Sequence, residues 1–195
     1  FFEVSEFMDK IGGIMNAFTS GDVTGYYAKI EASKIDQAFD WIADIYLNPT
    51  LPGKEIEREK QVIIEEINSV NDHPTDYLPH ALWPKLLYGD QPIGRPICGE
   101  KQIVKSISRS RLLDYRNKQY APENTIICVS GKVTAKKVDE LAKKYFLGLG
   151  KKVPGSKPKV FDAVVDEKGK AKKQASPQIL LKYKETDQTH FFLGV

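Results

Sequence analysis

The sequence is short of several things that announce a function outright. It has two cysteines, Cys98 and Cys128, with no C-x-x-C and no metal-like spacing; Cys128, inside an apolar run, reads as a buried thiol. It has three histidines, and the nearest two, His73 and His80, are parted by Pro74 and Pro79, so no pair shares a helix face. All three read as surface or packing residues. No G-x-S-x-G is present to set up a serine nucleophile, and GLGKK at 148–152 lacks the upstream glycine of a phosphate loop. No apolar run approaches the roughly 18 residues of a membrane helix, so no membrane span is expected. Charge of one sign is scarce too. The net charge is +3, and residues 150–177 hold eight lysines against three acids, or +5, which leaves −2 for the remainder (3 − 5). Basicity gathered in one Pro/Gly-punctuated stretch is a solvated linker, and nucleic-acid binding is not expected.

What is present is an ordinary soluble composition: 195 residues, 41% hydrophobic, 28% charged and 10% aromatic, enough for one sizeable core and part of a second. The chain opens in FFEVSEFMDKIGG, a helix already under way at a Phe and stopped by Gly12–Gly13, which leads us to expect an upstream segment. Ile14 to Thr19 and Thr24 to Ile30 suit two strands of a hairpin around Ser20-Gly21-Asp22. Asn16 is out of keeping in a strand. Its amide either serves a ligand at a sheet edge or satisfies a local backbone group.

Ser33 is placed to cap a helix through Leu47, and Lys54–Val70 forms the next. A short helix irregular at Pro84 spans His80 to Tyr88, and GDQPIGRPICG (89–99) is a loop. Ser108 opens a helix to about Tyr120, TIICVSG is a strand, and Thr134 caps AKKVDELAKKYF. After the lysine-rich stretch, PQILLKYKE and HFFLGV are strands. The expected class is α+β, a mainly antiparallel sheet with helices packed on one face. The expected division is 1–150 as one domain, 151–176 as linker, and 177–195 as the first strands of a second.

The Lys54–Val70 helix carries the chemistry. At about 100° per residue, Ile56, Ile63, Ile67 and Val70 fall in one sector, and Glu59 and Glu66 fall with them. Two carboxylates are thereby expected on the face that packs inward, two turns apart on one stripe. Unpaired and buried they would be costly, so either a cation neutralises them or they line a polar cleft. A glycosidase pair on one helix is an odd arrangement for flanking a sugar.

In this order, GGIMNAFTSGDVTGYYAKI, LNPT with EREKQVIIEEI, GDQPIGRPICG and YAPENTIICVSGKV resemble the pitrilysin-type zinc peptidases, the family of insulin-degrading enzyme and mitochondrial processing peptidase. The resemblance covers about Phe1 to Phe146, with 177–195 similar to the start of the family's second, related domain. It implies zinc in the intact protein, Glu66 as the third zinc ligand, and Glu59 as a supporting carboxylate of the catalytic site. Glu65, pointing outward, is not the candidate. It also implies that Asn16, Ala17, Phe18 and Thr19 lie on an edge strand that pairs with the peptide substrate. Its partners would be that peptide and a second homologous domain or subunit.

The H-x-x-E-H motif, which in this family supplies two zinc ligands and the general base, is nowhere in the 195 residues. The family's spacing puts it about ten to fifteen residues before Phe1. The chain alone is therefore expected to hold no catalytic zinc and to cleave nothing, although the parent is expected to be a zinc metalloendopeptidase. The alternative reading is a non-catalytic relative acting as partner or scaffold subunit of an active peptidase. The expected compartment is the cytoplasm.

Overall fold

Ser20-Gly21-Asp22 reverses the chain, with the Ser20 amide donating to Val23 O at 2.8 Å. The strands it joins, β1 (Ile14–Thr19) and β2 (Thr24–Lys29), pair antiparallel from Ile14↔Lys29 to Thr19↔Thr24, as expected. The computed structural model describes residues 2–147, 149 and 176–194. The described residues fall into two compact units, one within Phe1–Leu51 and Ser110–Val160, the other within Pro52–Arg109 and Phe161–Val195. The class is α+β.

In the first unit, α1 (Phe2–Lys10) and α2 (Ile35–Leu47) pack against the hairpin, and α8 (Ala135–Phe146) packs on α2. The core holds Met8, Ala38, Phe39, Ala43 and Leu141, the last 2% exposed. Around it Tyr46 meets Tyr26 edge-on at 5.9 Å, and its ring lies 4.8 Å from that of Tyr120 and 6.1 Å from that of Phe146. Helix α7 (Arg109–Gln119) places Arg116 at the C-terminus of α2, where its guanidinium donates to Tyr46 O at 3.0 Å and to Leu47 O. A cation there satisfies carbonyls that the helix leaves open.

In the second unit, α3 (Gly53–Asp72) is the longest element. It ends at His73, because Pro74 disfavours helical backbone before it. Lys184 seals that end, donating to Asn71 O and Asp72 O at 3.3 Å and pairing with Asp72 Oδ1 at 2.9 Å, which lowers the Asp72 pKa. A helical run follows as α4 (Pro74–Tyr77), a π turn over Leu78–Leu82 and α5 (Trp83–Tyr88). After a 3₁₀ turn at Pro92–Gly94 comes α6 (Lys101–Ser106), which packs on α3 and has no counterpart among the elements expected from sequence.

Three expectations need correction. Ser33 does not cap α2: its hydroxyl donates to Glu31, and α2 starts behind a 3₁₀ turn at Ala32–Lys34 with no side-chain cap. Among the described residues the sheet has two strands, so the strands expected at 125–131, 177–185 and in HFFLGV (190–194 described) form no ladder. Cys128 is accordingly exposed rather than buried, because no described strand lies alongside to cover it. The lysine-rich stretch lies outside the described residues apart from Ser176.

Candidate functional site

The buried stripe of α3 is Ile56, Lys60, Ile64 and Ile67. Its centre lies roughly 100° round the axis from Glu59 and Glu66 at 100° per residue. Both glutamates are exposed, so the expectation that they pack inward is wrong. The reason is Lys60. Its aliphatic stem fits the stripe between Ile56 and Ile64 while its ammonium reaches Glu57 Oε1 at 2.7 Å and Lys105 O at 3.3 Å. That inward lysine turns the stripe away from Ile63 and Val70, which are half-buried. The i±4 spacing of Lys60 to two isoleucines was the available signal, masked by its charge.

Burial therefore does not set Glu59 and Glu66 apart, but among the glutamates of α3 their lack of partners does. Of the five glutamates of α3, Glu57 pairs with Lys60, Glu65 accepts from Asn68 at 3.1 Å, and Glu55 lies 3.9 Å from Arg58. Glu59 and Glu66 have no hydrogen bond or ion pair among the described residues. They stand about 10 Å apart along the axis at 1.5 Å rise per residue, on one exposed flank.

Carboxylate oxygen is a competent zinc donor, and an unpaired, solvent-facing glutamate is free to take that role. The donor chemistry fits a share of a zinc site. Among the described residues no three acidic, histidine or cysteine side chains gather into a metal-binding group. His73, whose Nδ1 is 2.7 Å from Ser69 O, His80 and His190 are all exposed.

The other predicted residues lie in the first unit. Asn16, Ala17, Phe18 and Thr19 are all exposed on β1, which pairs only with β2 among the described residues. The Asn16 Oδ1 accepts from the Ala17 amide at 2.8 Å. That is the local role open to an asparagine in a strand, and it holds an amide that the β2 ladder does not use. Phe18 lies across Gly25, its register partner: a Cβ on Gly25 would stand 2.4 Å from the ring. The structure thus places Glu59 and Glu66 together on one helix and Asn16–Thr19 together on one strand, in different units.

Comparison with known proteins identifies the family. Residues 2–101 match the family model described as Insulinase (Peptidase family M16), and residues 106–195 match Peptidase M16 inactive domain. A protein of Mycobacterium bovis named an uncharacterized zinc protease is 32% identical over 193 residues, 99% of this chain and 42% of its own length. A Bacillus subtilis protein of like name, YmxG, is 32% identical over 98% of this chain and 44% of its own. Among solved structures, a protease from Helicobacter pylori superposes with a TM-score of 0.71 at 27% identity, over 75% of this chain and 35% of that one. The chain belongs to the insulinase family of peptidases, the pitrilysin-type group that its motifs resemble. It spans less than half the length of the curated relatives it matches. No helix of the described residues is long and apolar enough to cross a membrane.

Proposed function

We propose that this chain is part of a zinc-dependent endopeptidase that hydrolyses peptides or unfolded protein segments. In this reading Glu66 donates a carboxylate oxygen to the metal, and Glu59, two turns earlier on the same flank, supports the site as a second carboxylate. The observation that carries it is the contrast along α3: three glutamates are engaged by neighbours and these two are left open. Family membership supplies the chemistry that the contrast alone cannot name. Zinc, when bound, brings the pKa of its water towards neutrality and polarises the peptide carbonyl.

β1 binds the substrate backbone by strand addition. For that the Asn16 side chain swings off the Ala17 amide, freeing one donor for the peptide and bringing its own amide to the same edge. The exposed Phe18 and Thr19 flank that edge. The matches to two consecutive family models, the second over residues 106–195, support a second homologous domain or subunit as partner; within that span we read 177–195 as the first strands of a second domain. The outward row Ile179, Leu181 and Tyr183, alternating with the more covered Leu180, fits a strand awaiting a neighbour.

Without H-x-x-E-H the chain alone is read as holding no catalytic zinc. The test is Glu66→Gln in the full-length protein. Zinc content by metal analysis should fall with peptide hydrolysis; unchanged zinc would remove Glu66 from the ligand set. Stoichiometric tight zinc binding by this 195-residue chain alone would contradict the incomplete site.

A further inference from the structure

Lys60 is the one buried charged side chain among the described residues, 7% exposed. A buried ammonium is costly unless its donors are used, and here they join two helices: Glu57 on α3 itself and the carbonyl of Lys105 near the end of α6. Eight residues further along α3, Lys101 at the start of α6 donates to Asn68 Oδ1. The two lysines therefore clamp α6 along α3 at both of its ends, with the chain senses opposed.

The clamp grips α3 on the side away from Glu59 and Glu66. Taking about 100° per residue, the mean direction of Lys60 and Asn68 is roughly 150° from that of the two glutamates. A helix held along one side cannot roll about its axis. A roll of about 10° would carry a carboxylate lying about 6 Å from the axis through about 1 Å, beyond the roughly 0.5 Å within which a functional constellation must be held.

We propose that Lys60 is a positioning residue for the metal: with Lys101 it fixes the rotation of α3 and so aims Glu66 at the zinc. The proposal rests on the reading of Glu66 as a ligand. Neither lysine touches the metal or the substrate. Each acts through the backbone of α3, in the manner of the groups behind a metal ligand whose loss weakens binding without removing a donor.

The test uses the full-length protein with zinc as the probe. Affinity is measured by chelator competition well below the thermal midpoint of each variant, alongside the visible spectrum of the cobalt-substituted form, which reports ligand geometry. Lys60→Met should weaken zinc by about 10- to 100-fold and shift the cobalt spectrum, while Lys60→Arg restores both. Should Lys60→Met fail to fold, Lys101→Met loosens the other end of the clamp without emptying a buried site, and should weaken zinc in the same direction. Unchanged zinc affinity and cobalt spectrum in a folded Lys60→Met, or in Lys101→Met if that is the variant that folds, overturn the proposal. If Glu66→Gln meanwhile loses zinc, the ligand reading stands and only the clamp falls. If Glu66→Gln keeps its zinc, the ligand reading has failed and takes the clamp with it.

Discussion

The Lys144 ammonium lies 2.9 Å from Asp36 Oδ1, and the Tyr145 hydroxyl donates to the same oxygen at 2.8 Å, so α8 is tied to the first turn of α2. Hydrogen bonds from Lys144 and then Tyr145 lower the Asp36 pKa below its ordinary 3.8. The Lys144 pKa is raised, by Tyr145 and then Asp36. A depressed carboxylate contributes stability that is present above its unfolded value and is lost as the pH falls through the folded one; a raised lysine contributes below its unfolded value and loses it as the pH climbs. The tie therefore works between the ordinary values of 3.8 and 10.5. Asp36→Asn should lower the thermal midpoint modestly near neutral pH, since both groups are solvent-exposed. The gap from the unmutated protein should close as the pH drops below 3.8, and a gap that persists in acid would assign the loss to something other than this pair.

The hydroxyls of Tyr26 and Tyr120 are 3.0 Å apart. Burial first, and the Tyr26 hydroxyl next, raise the Tyr120 pKa above the ordinary 10.0. The fold thus favours the neutral phenol, a contribution complete below 10.0 and lost as the pH rises through the folded value. Tyr120→Phe should cost about 1 kcal/mol near neutral pH, one hydrogen bond, and should flatten the alkaline decline in stability. Some slope should remain, because burial raises the Tyr46 pKa as well. Urea unfolding across the alkaline range is the measurement.

Gly94 is buried at the end of its 3₁₀ turn, and a Cβ there would stand 2.4 Å from Gly89 O and 3.3 Å from Pro84 O. Both are backbone atoms that no rotamer change moves aside. Gly94→Ala should cost about 1–3 kcal/mol, the range of an overpacked site, read as a lower urea midpoint with little change of slope. A neutral result would mean that the loop between α5 and α6 gives way.

How far the sequence could be read depended on the range of the forces involved. The hairpin and the cap of α8, where the Lys137 amide donates to Thr134 Oγ1 at 3.3 Å, are set within a few residues and match expectation. Helix α6 has six residues and only Ile103 and Val104 to pattern; it is held by lysine contacts to α3 that no local rule contains. The same contacts explain the misplaced stripe of α3. Hydrophobic periodicity counts Lys60 as polar and centres the stripe on Ile63, which carries Glu59 and Glu66 inward. The family resemblance implies roles for this pair of glutamates, while periodicity puts them on the wrong face of the helix. The strands expected at 125–131 and 177–185 carry apolar residues that suit strands, but pairing depends on a partner, and local composition cannot supply one.

Gly25 faces Phe18 across the hairpin, and its missing Cβ leaves the space that the ring occupies. A Cβ would meet ring atoms at 2.4 and 2.6 Å, but these are the far end of a side chain that can turn away. Alanine is also the better strand residue by roughly 0.5–1 kcal/mol, which offsets the packing given up when the ring lifts. Gly25→Ala should therefore leave stability within about 1 kcal/mol while moving Phe18, half of whose surface is already open at 52%. If β1 receives the substrate, that displacement should raise KM for a peptide several-fold in the full-length protein without loss of zinc. An unchanged KM, with the ring shown to have moved, would place Phe18 away from the bound peptide and confine strand addition to the Asn16–Ala17 end of β1.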